Sequence, residues 1–321
     1  MKKLWLVLLV ILTGIVFLPG CAKYSEHGNL QNVGMLTEKP IQEEAWERKA
    51  YHGLLEISEA FDVEVYLKEE IQTEYEVAKA VDEFVQKGVN LIFGHSHLYG
   101  KYFMDIAELY PDVHFVYFNG NAYADNVTSL NFNPYAMAFF GGMVAGEMTS
   151  SNHVGIIAAY EWQAEIEGFY EGVKYQNARA KVHINYLNRN DKKKAMEIYD
   201  EMKEDAVDVY YPAGDTFSRD VIHQASKDKL YAIGYLTDQS EVDPKTVLTS
   251  TVEQLDELYQ RIAEKHNERE LEGEVLSLDF QDDLIVLGEF SADVPQQFQQ
   301  TVRKAIEDYK ENDILPLSNE K

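Results

Sequence analysis

The chain has 321 residues, 45% hydrophobic and 12% aromatic, with 29 basic against 55 acidic side chains and a formal charge of −26. That length allows two domains, and that composition excludes a disordered acidic tail. The charge excludes nucleic acid as a partner, since no basic stripe offsets the repulsion, and a single cysteine excludes disulfides and cysteine-type metal sites.

In chain order, Lys2 and Lys3 come first, an apolar run follows from Leu4 to Leu18, and Leu18-Pro19-Gly20 leads into Cys21. The run is shorter than the ~20 residues that span a bilayer. A basic start, a short apolar stretch and small residues before a cut predict a signal peptide over residues 1–20. The alternative, an anchor that stays uncleaved, would be longer. The ending resembles a bacterial lipobox, which implies lipid on the Cys21 thiol and acylation, palmitate included, of the new N-terminus. Two or three acyl chains hold a protein where one would not. An anionic membrane surface repels so acidic a body, so attachment falls to the lipid. The expected place is the extracytoplasmic face of the cell membrane. Residues 21–31 read as a polar, flexible tether.

From residue 33 onward, short apolar runs alternate with amphipathic stretches of helical period. Strands are expected over 33–36, 63–66, 91–93, 115–118 and 127–132. Helices are expected over 45–61, 75–86 (ended by Gly88) and 99–109 (closed by Pro111). A second series starts with a helix rich in small residues, 133–148. Strands at 154–158, 182–187, 207–211, 231–235 and 247–251 then alternate with helices at 165–175, 193–203, 217–225 and 253–267. The end differs: 276–280 and 285–290 read as an antiparallel strand pair before a last helix over 297–309. Strict alternation predicts an α/β protein of two lobes, each a doubly wound, mostly parallel sheet, with a ligand cleft between lobes at the carboxyl ends of strands. Lobe 1 is expected over 32–132 and lobe 2 over 133–246. Residues 247–321 are expected to cross back to lobe 1 and add the C-terminal strand pair and helix.

Enzyme signatures are weak. Gly94-His95-Ser96-His97-Leu98 starts like a nucleophile elbow, but its fifth residue is not the glycine that turn needs. Thr37-Glu38-Lys39-Pro40 stands where a dinucleotide fingerprint would follow the first strand, and there is no Walker loop. No enzyme activity, no cofactor and no metal are expected. His95 and His97 could ligate a metal only with a third group such as Glu43, Asp215 or Asp238. Cleft lining is the better reading, and a surface or capping position is the other. Gly142 and Gly146 have spacing that lets a helix approach a strand closely. The acids after strands, Glu38, Glu43, Asp215 and Asp238, sit where cleft residues sit, although Asp215 could equally cap the helix that follows it. Trp46 and Trp162 could stack a ligand ring, or Trp46 could be core.

Six segments stand out along the chain: Val33-Gly34-Met35-Leu36, Glu43-Glu44-Ala45-Trp46, Tyr110-Pro111-Asp112, Gly168-Phe169-Tyr170-Glu171-Gly172, Gly234-Tyr235-Leu236-Thr237-Asp238-Gln239 and Val247-Leu248-Thr249-Ser250. Together they resemble the basic membrane protein family, the purine-nucleoside-receptor type of substrate-binding lipoprotein from ABC importers. The likeness spans about residues 33–310. It implies the type I periplasmic-binding-protein fold, a small nucleoside-like ligand and an ABC permease or other membrane partner. It implies ribose contact by Asp238, a ligand-side turn at Gly214, base stacking by Trp46 with Trp162 nearby, base reading by Glu38 (or Thr37), and a ligand position at Asn119. Glu253 stands where the family has a sugar-binding lysine. Within the family the chain also resembles regulatory lipoproteins of bacilli that promote competence, which gives a second function: indirect regulation from the membrane.

Overall fold

The computed structural model describes residues 29–189 and 191–316. The expected signal peptide and Cys21 lie outside them. Two six-stranded sheets form the molecule. The first runs β11-β5-β4-β3-β1-β2, from β1 (Asn32–Leu36), β2 (Val65–Lys68), β3 (Val89–Gly94), β4 (His114–Phe118), β5 (Val127–Phe132) and β11 (Val275–Leu278), all parallel. The second runs β12-β10-β9-β8-β6-β7. Its members are β6 (His153–Ala158), β7 (Lys181–Tyr186), β8 (Val209–Ala213), β9 (Tyr231–Gly234), β10 (Val247–Glu253) and β12 (Ile285–Leu287). Only β12 runs antiparallel. Five strands of each sheet share one winding order, with the topological switch beside the first strand of the series.

Helices cover both faces, as buried parallel strands require. The first lobe carries α1 (Ala45–Phe61), α2 (Glu74–Gln86) and α3 (Leu98–Ile106), and the second α4 (Tyr135–Met148), α5 (Ala164–Gln176), α6 (Lys192–Glu204) and α7 (Ser218–Asp228). Met35, Phe93, Leu54 and Leu258 bury on one face of the first sheet; Val81, Phe84, Phe103 and Phe115 bury on the other. The second sheet has equivalent layers around Ile156, Phe169 and Tyr211, and around Tyr199, Tyr210 and Phe217. Thr73 and Glu76 form a reciprocal cap that starts α2. Gly88 ends it with φ +74°, where a side chain would be strained.

After β10 the chain is shared between lobes. Helix α8 (Leu255–Glu268) packs on α1, β11 joins the first sheet, and β12 returns to the second, where α9 (Gln296–Asn312) packs on α4. The segments expected to pair with each other, 276–280 and 285–290, therefore do not. The first lies parallel to β5, the second antiparallel to β10, one in each lobe. The chain thus crosses between lobes three times, after β5, after β10 and after β11.

Helix α4 is buried from Ala136 to Gly146, which its all-round apolar sequence anticipates. Gly142 and Gly146 meet a helix and not the strand expected of them. A Cβ on Gly142 would strike the Phe169 carbonyl of α5, and one on Gly172 of α5 would strike the Phe139 carbonyl of α4. Each helix contributes a small-x-x-x-small pair, Gly142 with Gly146 and Gly168 with Gly172.

Candidate functional site

A cleft of about 410 Å³ opens between the lobes. Its walls come from strand ends. Asn119 follows β4, Asn131 and Phe132 close β5, Ala159 and Tyr160 follow β6, Gly214 and Asp215 follow β8, Tyr235 and Leu236 follow β9, and Glu253 ends β10. The starts of α1 and α5 add Glu44, Trp46, Gln163 and Glu165. Pro212 helps splay this edge: it has no N–H to give, and the β8–β9 ladder stops at Tyr210.

Trp46 forms one aromatic wall. Its ring stacks on His95 with centroids 4.7 Å apart and meets Phe118 and Phe132 edge-on. His95 is buried behind it, not exposed to the cleft. His95 Nε2 lies 3.2 Å from the Trp46 carbonyl and Nδ1 2.9 Å from the Tyr259 hydroxyl. A carbonyl only accepts, so Nε2 donates and Nδ1 accepts from Tyr259. Burial pushes the imidazole down to about 3, so it stays neutral and serves as a fixed backing for the indole. Opposite, Trp162 is 78% exposed and stacks on Tyr160 at 5.1 Å.

The polar wall is acidic. Among the described residues, Glu44, Glu165, Asp215 and Glu253 line the cleft, and no Lys, Arg or His does. Glu165 is buried and accepts from Gln163 Nε2 (2.7 Å) and the Tyr235 hydroxyl (3.2 Å). Burial raises its pKa despite those bonds. Burial, then the charge of Glu165, pushes Glu253 up to about 8, while Lys49 opposes the shift. Lys49 Nζ reaches the Glu253 backbone carbonyl at 2.6 Å.

Asp215 ties the lobes together. Its two oxygens accept from the backbone N–H groups of Ala45 (3.1 Å) and Trp46 (2.9 Å), at the start of α1 in the other lobe. Glu44, the residue before that helix, makes no side-chain cap. The capping role expected of Asp215 therefore exists, but for a helix 170 residues away; its own following helix starts without a side-chain cap. Burial raises the Asp215 pKa, and the two N–H groups counter it.

Of the residues singled out in the sequence, Trp46, Asn119, Trp162, Gly214 and Asp215 meet in the cleft. Four do not line it. Glu38 accepts from the Ser96 hydroxyl, and Glu43 is exposed on the turn before α1. His95 lies behind Trp46. Asp238 accepts from the N–H groups of Ser240 (3.0 Å) and Glu289 (3.0 Å), which fastens the turn after β9 to the exit of β12. Sequence reasoning missed Glu44, Gln163, Glu165 and Tyr235. Glu44 was one residue away from the acid chosen, and Gln163 and Glu165 sit in a helix start after a strand, the position that already marked Trp162.

Two parallel-sheet lobes, three crossings and a cleft at strand ends define the class of two-lobed solute-binding proteins with the type I periplasmic-binding-protein fold. The chain belongs to the PnrA-like family of ABC transporter substrate-binding proteins, whose match covers residues 30–318. It is 43% identical over 310 residues to the transcriptional activator protein med of Bacillus subtilis, covering 96% of this chain and 98% of that one. It is 24% identical over 260 residues to basic membrane protein A of Borreliella burgdorferi, covering 77% and 75%. The crystal structure of a transcriptional activator of the comK gene from Bacillus halodurans superposes with a TM-score of 0.85 at 43% identity, covering 88% and 99%. An ABC transporter solute-binding protein of Conexibacter woesei shares the fold at 19% identity, with a TM-score of 0.74 over 88% and 97%. The resemblance read from the sequence is thus to the family found. Such families are extracytoplasmic, take small-molecule ligands and work with a membrane permease. No helix among the described residues is long and apolar enough to cross a membrane.

Proposed function

We propose that this protein is a lipid-anchored receptor that closes its lobes over a small polar, nucleoside-like ligand and hands it to an ABC permease. The observation that carries the reading is the cleft itself, with an aromatic wall at Trp46 facing acceptors Glu44, Asp215 and Glu253. An indole face suits a base ring, and carboxylates suit ribose hydroxyls and exocyclic amines. Asn119, Gly214 and the Tyr160–Trp162 stack complete the contacts; His95 acts through Trp46. It is a binding protein and not an enzyme, a reading supported by its family, which is one of substrate-binding proteins. The anchor rests on the layout of residues 1–21.

Calorimetric titration against a nucleoside panel tests the ligand class. Binding by at least one member is expected, and Trp46→Ala should weaken it about tenfold or more, as loss of one stacked ring costs ~1–3 kcal/mol. No heat with any nucleoside, from protein shown to be folded, would end the nucleoside reading.

A second reading is a regulatory lipoprotein that acts through a membrane partner. It is favoured by 43% identity to a transcriptional activator and by Glu253, an acid where the family has a sugar-binding lysine. A charge of −26 rules against contact with DNA, so the effect would be indirect. Gene deletion separates the two: lost nucleoside uptake speaks for the receptor, altered competence alone for the regulator.

A further inference from the structure

Glu47 lies in the first turn of α1 and is 6% exposed, yet among the described residues its Oε2 has no hydrogen-bond partner. One carboxylate oxygen each from Glu44, Glu47 and Asp215 fall within 4.8 Å of one another. The nearest compensation is Lys39, whose Nζ pairs with Glu44 at 2.6 Å. Arg48 also acts on Asp215, but three acids against two cations still leave the cluster negative. The positive end of α1 accounts for Asp215, which takes two of its N–H groups. It does not account for the orphan oxygen of Glu47, since a buried acceptor left unpaired is destabilising.

We propose that Glu44, Glu47 and Asp215 form a site for one hard divalent cation that bridges the two lobes. Oxygen-only donors select calcium, magnesium or manganese over zinc or copper. Glu47 brings a buried carboxylate whose Oε2 no group among the described residues uses. Asp215 keeps its backbone bonds, because each carboxylate oxygen has a second lone pair. Glu44 and Glu47 belong to the first lobe and Asp215 to the second, so the ion draws the lobes together. Glu44 and Asp215 also line the cleft, which places open coordination positions toward the ligand. With only three protein ligands, the expected affinity is that of extracellular calcium modules, ~10⁻⁴–10⁻³ M.

The test needs no knowledge of the organic ligand. Thermal unfolding of the purified protein is followed while CaCl₂, MgCl₂ or MnCl₂ is titrated against KCl of equal ionic strength, and tryptophan-excited terbium luminescence counts bound ions. The expected result is one ion per chain and a saturable rise in Tm of about 2 °C at tenfold excess over Kd. Glu47→Gln and Glu44→Gln should each abolish the rise. Glu253→Gln, in the cleft but outside the cluster, should retain it. A wild-type Tm that follows ionic strength alone, or an undiminished response in a folded Glu47→Gln protein, would overturn the site.

Discussion

Glu253 shows how a single residue can set a cleft against its own fold. Burial and the neighbouring Glu165 lift its pKa from 4.5 to about 8. Between those values the folded protein holds more protons than the unfolded chain, so stability falls as pH rises through the window. Glu47, lifted to about 7 by burial and then by Glu44, acts with the same sign between 4.5 and 7. Glu253→Gln removes one of these groups. The variant's stability relative to wild type should rise by about 3 kcal/mol between pH 5 and pH 8, read from unfolding midpoints at each pH. An advantage that does not change with pH would refute this account. The acids after strands were legible in the sequence; their targets were not. Asp215 and Asp238 both follow strands, yet one bonds α1 across the cleft and the other fastens Glu289. Leu236 takes the left-handed region at φ 67°, and that local turn, invisible in a list of residue types, lies between β9 and Asp238. Glu43 and Glu44 differ by one position, and only the structure says which faces the cleft.

At the scale of elements, the α4–α5 contact is the closest packing in the second lobe. Gly142 and Gly168 each face a carbonyl of the opposite helix, as does Gly172. Gly172→Ala would force a methyl into the Phe139 carbonyl, and α5 could relieve it only by lifting from α4. A loss of about 3 kcal/mol is expected, at the upper end for overpacking, and chemical denaturation would measure it. Gly141→Ala in α4 is the control: its Cβ would meet Ile233 and Thr251 at 3.5 Å and Phe169 at 3.9 Å, all ordinary contact distances, so less than about 1 kcal/mol should be lost. Equal losses would show that helix propensity and not contact sets the cost. The βα alternation that yields two sheets was readable because buried strands are apolar runs and surface helices have a 3.6-residue stripe. The β11–β12 error has the opposite cause. Four and three residues carry no partner information of their own, and the third crossing separates them into different lobes. The glycine spacing was readable too, but its partner, the Gly168–Gly172 pair on α5, required tertiary structure.

For the whole molecule, charge and attachment are one argument. The chain carries 55 acids against 29 basic side chains, a balance that an anionic leaflet repels, and no helix among the described residues is long and apolar enough to cross a membrane. The lipid attachment proposed at Cys21 then has a sharp consequence. Cys21→Ser should move the protein from the membrane fraction to the medium, at low and high salt alike, since a net charge of −26 leaves no overall attraction to an anionic leaflet for salt to screen. Affinity for a cleft ligand should be unchanged in the released protein, because the cleft begins 23 residues after the cysteine, at Glu44. Uptake or regulation should nevertheless fail, because a receptor or regulator that works on a membrane partner loses the high local concentration that tethering provides. Fractionation with an anti-protein blot reads the first outcome, and calorimetry on the released variant the second. A variant that stays with the membrane after high-salt washing would mean that residues 1–20 remain attached as an anchor, and the lipid proposal would fall with it.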